Sequence, residues 1–483
     1  MLLSKIIGKY PYRSINGNQD LDITGIEHNS KNIKEGNLFI AQKGYNLDGH
    51  NYIDDAIEKG AVAIVKDKDV TLNQDITTID VHNSTDALGY FAAKYYYHPW
   101  TSMNTIGITG TNGKTTTSYI IKHILEINQQ KVGIIGTMGV IVNNKHIDIP
   151  NTTPDSLEIQ KNLNHMIEKK MDYCIMEVSS HALEMKRVKY MDFNIGIFTN
   201  LSKDHFDYHK TMENYFNSKL KLFFKTNKLN IINIDDFYGK RIIESINNRA
   251  ENITYGLKHG DIFATDIVYL KSRPSFKLNT PKGTVNIQLK IPGEFNIYNS
   301  LAAAACCYGL GIDLNIIKEG LESFNGVKGR FEEIETSHDF NVIIDFAHTP
   351  EGIKEALKAI DKFTEGRKVI VFGAGGDRDR SKRPEMGKIA GENSDLVIIT
   401  SDNPRNEEPE DIANDIVQGV METDCDYIVI LDRKEAINYA IMNSVSKDTI
   451  LISGKGHEDS ITIKGKKIPF DERKIILEII NKI

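Results

Sequence analysis

The strongest chemical signal in the sequence is the segment G-I-T-G-T-N-G-K-T-T at residues 107–116, which follows an apolar run and opens a helical pattern. Glycines in such a turn let backbone N–H groups surround phosphate oxygens, and the start of the helix adds positive potential. The segment predicts a phosphate loop for ATP, in which Lys114 contacts the β- and γ-phosphates and Thr115 ligates Mg²⁺. The strict motif has glycine where Ile108 stands, so a glycine-rich turn without a ligand is the alternative.

Carboxylate, amide and imidazole groups follow two further apolar runs. Glu177 lies at the end of the run 173–178, and the segment F-T-N-L-S-K-D-H-F-D-Y-H occupies residues 198–209. The carboxyl ends of parallel strands face the ligand crevice of an open sheet, so Glu177 is a candidate second ligand of the phosphate-bound Mg²⁺. The 198–209 segment suits metal and phosphate-oxygen ligation, although its spacing is not that of a zinc site. An exposed loop glutamate and a polar capping loop are the alternatives.

The composition excludes several classes of protein. The 59 lysines and arginines against 66 aspartates and glutamates give a net charge of −7, so no global field favours nucleic acid or an anionic membrane. The four cysteines lack metal-ligand spacing, which fits a reducing cytosol. No apolar run is long enough to span a bilayer or to form the core of a signal peptide. We therefore expect a cytoplasmic protein that binds no nucleic acid and does not insert into membranes.

The candidate functional segments lie in three stretches of sequence, each of which alternates strand and helix patterns. Residues 1–100 predict a small N-terminal α/β domain, and residues 101–330 a central phosphate-loop ATPase domain with a parallel sheet. Residues 331–483 restart the alternation and predict a doubly wound, Rossmann-like C-terminal domain. The predicted fold class is thus α/β with three domains. The predicted strands are 37–41, 61–65, 106–110, 173–178, 195–198, 229–234, 342–346, 368–372, 396–400, 427–431 and 449–453.

Several motifs occur in an order that is typical of one enzyme family. They are T-G-T-N-G-K-T-T (109–116), E-V-S-S-H-A-L (177–183), the 198–209 segment, G-E-F-N-I-Y-N-S-L-A-A (293–303), V-K-G-R-F-E (327–332), D-F-A-H-T-P (345–350), G-A-G-G-D-R-D-R (373–380), D-N-P-R (402–405) and G-K-G-H-E (454–458). Over nearly its whole length the sequence resembles the Mur ligases, the ATP-dependent amino-acid-adding enzymes of peptidoglycan synthesis. Within that family it is most similar to the ligases that add the third residue, with UDP-N-acetylmuramoyl-L-alanyl-D-glutamate as acceptor.

The resemblance implies an ADP-forming reaction through an acyl phosphate, carried by Lys114, Glu177, His205 and Lys219. Lys219 matches a lysine that these ligases carry as a carbamate, so the implied Mg²⁺ ligands are Thr115, Glu177, His205 and carbamylated Lys219. From the residues alone, Lys219 reads as a solvated helix lysine. The implied ATP-binding residues are Gly110, Thr111, Asn112, Gly113, Lys114, Thr115, Thr116, Asn299, Arg330 and Asp345. Arg330 and Asp345 would bring ATP and the last domain together.

The resemblance also assigns the acceptor and the amino acid. The implied UDP-muramoyl-peptide ligands are Ser30, Asn151, Thr152, Thr153, Ser179 and Arg187. Met185 departs from relatives that carry glutamine there, which puts one polar contact in doubt. The implied ligands of the added amino acid, meso-diaminopimelate, are Arg383, Asp402, Asn403, Pro404, Arg405, Gly454 and Glu458.

Arg405 decides between diaminopimelate and lysine. Its planar guanidinium can bind the distal carboxylate of diaminopimelate and would repel the lone distal ammonium of lysine. Glu458 is placed to accept the distal ammonium. The alternatives are a lysine-adding ligase of the same family, a folylpolyglutamate synthase, and a non-catalytic phosphate-loop switch protein. We expect a monomer.

Overall fold

The computed structural model describes residues 1–44, 47–72, 75–246, 249–270 and 273–483. Within them the chain forms three large sheets of five, eleven and six strands, in that order along the sequence, and one two-stranded hairpin. Each large sheet contains a run of parallel strands with helices packed on it, so the α/β class is confirmed. None of the helices in these ranges is long and apolar enough to cross a membrane.

The first sheet has the order β1-β5-β4-β3-β2, and only β1 runs antiparallel to its neighbour. Its strands are Tyr12–Asn16 (β1), Gly25–Glu27 (β2), Asn37–Ile40 (β3), Ala61–Lys66 (β4) and Thr77–Val81 (β5). The helices are Leu3–Ile7 (α1), Ile53–Glu58 (α2) and Ser84–Tyr95 (α3), and 3₁₀ turns span Ser30–Asn32, Gly49–Tyr52 and Pro99–Ser102. Apolar cores cover both faces of this sheet.

The central sheet has the order β16-β15-β14-β13-β12-β11-β6-β10-β7-β8-β9. Its strands are Asn104–Thr109 (β6), Val132–Gly136 (β7), Gly139–Val142 (β8), Lys145–Ile147 (β9), Tyr173–Glu177 (β10), Phe193–Phe198 (β11), Thr226–Asn233 (β12), Glu251–Gly256 (β13), Ile262–Leu270 (β14), Arg273–Thr280 (β15) and Gly283–Gln288 (β16). The helices are Lys114–Ile127 (α4), Ser156–Glu168 (α5), Ser180–Glu184 (α6), Phe206–His209 (α7), Met212–Phe224 (α8), Phe237–Ser245 (α9), Glu294–Gly309 (α10) and Leu314–Ser323 (α11).

The central sheet differs from the predicted parallel sheet at both edges. Strands β7, β10, β6, β11, β12, β13 and β14 are parallel to their neighbours, but β8 and β9 at one edge and β15 and β16 at the other pair antiparallel. Strand β9 is exposed along its whole length, and β16 alternates between exposed and more buried positions. Such half-solvated edge strands need no continuous apolar run, which is why the sequence pattern did not reveal β9, β15 and β16.

The third sheet has the order β17-β18-β22-β19-β20-β21, with only β17 antiparallel, as a doubly wound unit requires. Its strands are Glu332–Ile334 (β17), Asn341–Asp345 (β18), Lys368–Phe372 (β19), Leu396–Ile399 (β20), Asp426–Val429 (β21) and Thr449–Ser453 (β22), followed by the hairpin Ser460–Ile463 (β23) and Lys466–Pro469 (β24). The helices are Pro350–Asp361 (α12), Lys382–Asn393 (α13), Pro409–Val420 (α14), Arg433–Met442 (α15) and Glu472–Ile480 (α16).

Helix α4 is held in the core of the central unit by one apolar face. Ile120, Ile121, Ile124 and Leu125 recur at helical spacing and are fully buried. This spacing places them on one side of the helix, where they join the core that contains the strands of the central sheet. The core therefore fixes where α4 begins, and the glycine-rich segment lies directly before that point.

Candidate functional site

The glycine-rich segment forms a tight loop between β6 and α4. Gly110 has φ +151° and Gly113 has φ +86°, which side-chain-bearing residues rarely adopt. A Cβ atom on Gly110 would lie 1.8 Å from Oγ1 of Thr199. That oxygen donates to the carbonyl of Asn112 at 2.6 Å, so moving it would break a contact of the loop. The loop thus has the backbone of a phosphate cradle and leaves no room for side chains at these glycines.

Lys114 folds back over this loop. Its Nζ donates to the carbonyl oxygens of Gly110 at 2.9 Å and Thr111 at 2.8 Å. Burial lowers the pKa of Lys114, and the nearby Arg330 lowers it further while Glu177 opposes the shift. The ammonium group therefore lies over the turn, where phosphate oxygens would offer it the anionic partner that the loop lacks.

Glu177 is fully buried at the end of β10, and its carboxylate accepts hydrogen bonds from two threonines. Oε2 accepts from Oγ1 of Thr115 at 2.9 Å and from Oγ1 of Thr137 at 2.9 Å, while Oε1 accepts from the Thr137 backbone N–H at 3.0 Å. The structure thus brings Glu177 to the phosphate loop, and the reading of an exposed loop glutamate is wrong.

The Thr115 hydroxyl and the Glu177 carboxylate fit Mg²⁺, which takes one or two protein oxygens and completes its shell with phosphates and water. Across the part of the chain that the structure describes, no three His, Cys, Asp or Glu side chains are grouped to hold a metal. The donor set therefore suits a metal that arrives with a nucleotide.

Lys219 lies on α8 with only 2% of its surface exposed, so the reading of a solvated helix lysine is wrong. Its Nζ donates to the Gly110 carbonyl at 2.8 Å, the same oxygen that Lys114 contacts, and lies 4.6 Å from the centre of the Tyr215 ring. Burial, reinforced by the charge of Lys114, lowers the pKa of Lys219 well below its usual value. Both effects shift the protonation equilibrium of Lys219 toward the neutral amine.

His205 directly precedes the short helix α7, close to the same loop. Its Nε2 is 3.3 Å from Asp204 Oδ2, and its ring centre is 4.8 Å from that of His181. Burial lowers the pKa of His205, and the neighbouring Lys219 and Lys114 act in the same direction. The ring is therefore neutral near pH 7, which is the form that ligates metals.

Arg330 and Asp345 connect the phosphate loop to the third sheet. Nη2 of Arg330 donates to Oγ1 of Thr115 at 3.4 Å, and its guanidinium lies 4.2 Å from the centre of the Phe346 ring. Oδ1 of Asp345 accepts from the Phe331 backbone N–H at 2.9 Å. Burial raises the pKa of Asp345, and the charge of Arg330 opposes that shift. Both residues thus lie at the junction between the central and third units.

Asn299 lies on α10 beside the start of α4. Its Oδ1 accepts from Oγ1 of Thr117 at 3.4 Å, and its Nδ2 donates to Oδ1 of Asn296 at 3.0 Å. A Cβ atom on Gly113 would lie 2.4 Å from the Asn299 oxygen. Asn299 therefore contacts the end of the phosphate loop, and its contact with adenine stays a prediction. Thr116, in the first turn of α4, is partly exposed.

Most of the predicted acceptor ligands surround the end of β10. Oγ1 of Thr153 donates to the Glu177 carbonyl at 2.8 Å and accepts from the Ser179 N–H at 3.0 Å. Nη1 of Arg187 donates to the Thr153 carbonyl at 2.6 Å, and Oγ1 of Thr152 is 3.1 Å from that of Thr137. These residues form one cluster beside the phosphate loop.

Asn151 and Ser30 stand apart from that cluster. Asn151 is exposed at its margin, whereas Ser30 is buried in a 3₁₀ turn of the first unit. His28 lies 3.4 Å from Asp155, which brings the first unit alongside the 151–156 segment. The Met185 sulfur accepts weakly from Nη2 of Arg187 at 3.7 Å, where some relatives would offer an amide.

The loops after β20 and β22 bring together six of the seven predicted amino-acid ligands. Nδ2 of Asn403 donates to Glu458 Oε2 at 2.8 Å, and Nη1 of Arg405 donates to the Gly376 carbonyl. Pro404 lies between Asn403 and Arg405 in the sequence. Gly454 contacts Asp402, since a Cβ atom on Gly454 would lie 2.6 Å from Asp402 Oδ2. An arginine and a glutamate thus occupy one site between two loops.

Arg383 differs from this group. Its side chain is fully buried, with Nη2 donating to Glu407 Oε1 at 2.8 Å and Nη1 to Asp415 Oδ2 at 2.9 Å. Arg383 lowers the pKa of Glu407 to about 2, the ordinary sign of a tight ion pair. The guanidinium thus holds two carboxylates of the protein beside the Arg405 loop, and its contact with a substrate carboxylate stays a prediction.

Three residues that position the site were missed by the sequence reasoning. Thr137 holds Glu177, and Lys455 is a fully buried lysine beside Glu458. Arg433 donates to the carbonyls of Ser401 at 3.3 Å and Ser453 at 2.8 Å, and these bonds connect the two loops that carry the predicted amino-acid ligands. Of the three, only Lys455 lies inside a motif that the sequence analysis identified, G-K-G-H-E, whereas Thr137 and Arg433 lie outside all of the identified motifs.

The fold and the site define a phosphate-loop ATPase with an α/β unit on either side of it in sequence. Three family profiles match these parts: "Mur ligase family, catalytic domain" at residues 22–96, "Mur ligase middle domain" at 108–307 and "Mur ligase, glutamate ligase domain" at 329–456. The chain belongs to the Mur ligase family and is an ATP-dependent, ADP-forming ligase. The ligase prediction is confirmed, and the alternative of a non-catalytic switch protein is wrong.

Curated relatives match over the full length of the chain. A UDP-N-acetylmuramoyl-L-alanyl-D-glutamate–2,6-diaminopimelate ligase of Clostridium tetani is 46% identical over 489 residues, covering 100% of both chains. The ligase of the same name from Caldanaerobacter subterraneus is 45% identical over 467 residues, covering 96% of each.

Solved structures agree. A structure of a ligase with that name has a TM-score of 0.70 at 29% identity and covers 100% of this chain and 99% of its own. The MurF ligase of Thermotoga maritima in complex with ADP has a TM-score of 0.67 at 20% identity, covering 96% and 99%, and supports the fold.

Gly110→Ala tests the phosphate loop. We expect it to weaken ATP binding at least tenfold, because the added Cβ would displace Thr199 from the loop. Gly283→Ala is the matched control, since Gly283 has a similar φ of +143° but nothing within 4 Å of the added Cβ. Calorimetric titration with a non-hydrolysable ATP analogue measures both. Equal affinities for the two variants would show that the loop does not bind the nucleotide.

Proposed function

We propose that the enzyme joins meso-diaminopimelate to the D-glutamate γ-carboxylate of UDP-N-acetylmuramoyl-L-alanyl-D-glutamate, with ATP and Mg²⁺, in the cytoplasmic assembly of peptidoglycan precursors. The observation that carries the choice of amino acid is the site of Arg405 and Glu458, between the loops after β20 and β22. A cation and an anion in one site match the distal end of diaminopimelate, which carries both a carboxylate and an ammonium. The names of the Clostridium and Caldanaerobacter relatives support the same substrates.

The reaction couples two displacements. A carboxylate oxygen of the acceptor bonds to the γ-phosphorus of ATP while the bond to the β,γ-bridging oxygen breaks, which gives an acyl phosphate and ADP. The amine nitrogen of diaminopimelate then bonds to the acyl carbon, phosphate leaves with the former carboxylate oxygen, and the nitrogen loses a proton. Both steps require positioned groups and charge neutralisation more than covalent help from the protein.

The phosphate-loop residues supply that neutralisation in the proposal. Lys114 would leave the loop carbonyls for the β- and γ-phosphates, and Arg330 would add a second positive charge from the junction with the third sheet. Thr115 and Glu177 would hold Mg²⁺, which offsets phosphate charge when it is bound. Gly110, Thr111, Asn112 and Gly113 would offer backbone N–H groups, while Thr116, Asn299 and Asp345 would complete the nucleotide site.

Lys219 as a carbamate, with His205, would serve a second Mg²⁺. Carbon dioxide adds to a neutral amine, and burial beside Lys114 favours that form of Lys219. The resulting carbamate would replace the ammonium group of Lys219 with an anionic oxygen ligand, close to the loop that would bind the γ-phosphate. The two metal sites would then share the Gly110–Thr115 loop.

The division of labour follows the three predicted domains. Residues 1–100 would bind the UDP-muramoyl part through Ser30, residues 101–330 ATP and the peptide of the acceptor, and residues 331–483 the amino acid. The cluster of Thr152, Thr153, Ser179 and Arg187 supports this for the peptide, because it adjoins Glu177. We retain a monomer as the working unit, with Asn151 as an outer contact to the acceptor.

Phosphate release tests the proposed function. With ATP, Mg²⁺ and the UDP-muramoyl dipeptide, we expect release on adding meso-diaminopimelate and little on adding L-lysine, because only the former satisfies Arg405. Omission of the acceptor is the control. Release with lysine alone would keep the ligase and overturn its amino-acid choice, whereas no release with either would contradict both.

Arg405→Ala tests the carboxylate contact. We expect the KM for diaminopimelate to rise at least tenfold, since a charge-assisted hydrogen bond contributes about 1.5–3 kcal/mol. The KM for ATP should change little. Arg249→Ala, which removes an exposed arginine paired with Asp192 at 3.3 Å, is the control. A parallel loss of affinity for both substrates would assign Arg405 to folding instead.

A further inference from the structure

Lys455 is a lysine without exposed surface in the loop after β22. Its Nζ donates to Glu458 Oε2 at 2.9 Å and to Asn403 Oδ1 at 3.3 Å. A buried ammonium is costly unless it is paired and hydrogen-bonded. Both of these partners are residues proposed to bind the amino acid, so the cation is held in place by the site itself.

Lys455 also determines which way the Asn403 amide points. Oδ1 of Asn403 accepts from Lys455 and from the Thr462 backbone N–H at 2.8 Å, and both of these groups can only donate. The amide nitrogen must therefore face the other way, where Nδ2 donates to Glu458 Oε2 at 2.8 Å. Lys455, Asn403 and Glu458 form a triangle in which each pair is in contact.

The triangle leaves one oxygen of Glu458 for a ligand. Oε2 is occupied by two donors, whereas Oε1 accepts no hydrogen bond from the residues that the structure describes. The Glu458 side chain is 35% exposed, so this oxygen can be reached from the site. An ammonium group would meet a carboxylate whose orientation is already set.

The charge of Lys455 also changes what the site attracts. Arg405 and Lys455 balance Glu458 and Asp402, and Arg378 and Asp377 add one charge of each sign near Arg405. A ligand end that carries only an ammonium would gain little here, because Lys455 already offsets Glu458. A zwitterionic end can place its carboxylate on Arg405 and its ammonium on Glu458 at once.

We propose that Lys455 is a positioning and specificity-determining residue, which orients Glu458 and Asn403 and offsets the Glu458 charge so that the site favours an amino acid with a zwitterionic distal end. The inference rests on the proposed function, since it takes the Arg405–Glu458 site as the amino-acid site. Lys455 acts through its neighbours and touches no reacting atom.

Lys455→Met tests the proposal, because methionine retains the apolar stem and removes the charge. We expect the KM for meso-diaminopimelate to rise roughly tenfold, the effect of leaving one hydrogen-bonded charge unpaired, while kcat and the KM for ATP change much less. L-Lysine should inhibit the variant at lower concentration than it inhibits the wild type. Lys474→Met, at a lysine whose side chain is 75% exposed, is the control.

A double-variant cycle separates positioning from packing. If Lys455 acts through Glu458, Lys455→Met adds little to the loss caused by Glu458→Gln. If Lys455→Met alone does not fold, the KM of the double variant can still be compared with that of Glu458→Gln. The double variant is expected to fold because it removes both charges of the Lys455–Glu458 pair. Additive losses, a parallel rise in the KM values for ATP and diaminopimelate, or no gain in lysine inhibition would overturn the proposal.

The wild-type assay keeps the two proposals distinguishable. If the wild type releases phosphate with diaminopimelate and Lys455→Met behaves like Lys474→Met, the inference about Lys455 fails and the proposed function stands. If the wild type releases no phosphate with diaminopimelate, the proposed function fails, and this inference fails with it.

Discussion

The hydrogen bond between Thr115 and Glu177 joins the phosphate loop to the centre of the largest sheet, and the proposed chemistry depends on it. Glu177 has no contact with solvent, so its carboxylate must be satisfied by donors, which Thr115 and Thr137 provide. These donors follow strands β6 and β7, which flank β10 in the sheet. The parallel order of three strands therefore sets the spacing of the loop, the carboxylate and the threonine that holds it.

A second constraint connects this centre to the amino-acid site. Arg330 reaches Thr115 from the segment that leads into the third sheet, and Gly329 beside it packs against Gly456. A Cβ atom on Gly329 would lie 2.2 Å from the backbone of the Gly456–His457 link, so the two backbones are in direct contact. Gly456 belongs to the loop that carries Lys455 and Glu458. The phosphate loop and the proposed amino-acid site are thus linked through one contact of two glycines.

Sequence reasoning recovered the parts of the site that strand ends dictate. Glu177 and the glycine-rich loop each follow an apolar run, and parallel strands bring such positions together. It could not place Lys219, because a lysine in a helical pattern gives no sign that its neighbours bury it. It also did not reveal the ion pairs of Arg383, because its partners Glu407 and Asp415 come from distant segments. The edge strands β9, β15 and β16 escaped because half-exposed strands lack an apolar run.

The central claim is that the acceptor carboxylate is activated by the γ-phosphate at the Gly110–Thr115 loop. The most direct measurement uses UDP-muramoyl dipeptide labelled with ¹⁸O in the D-glutamate γ-carboxylate, followed by ³¹P NMR of the phosphate released during turnover with diaminopimelate. The account predicts one ¹⁸O atom in each phosphate, because the acyl phosphate transfers a carboxylate oxygen. Unlabelled phosphate during amide formation would contradict it.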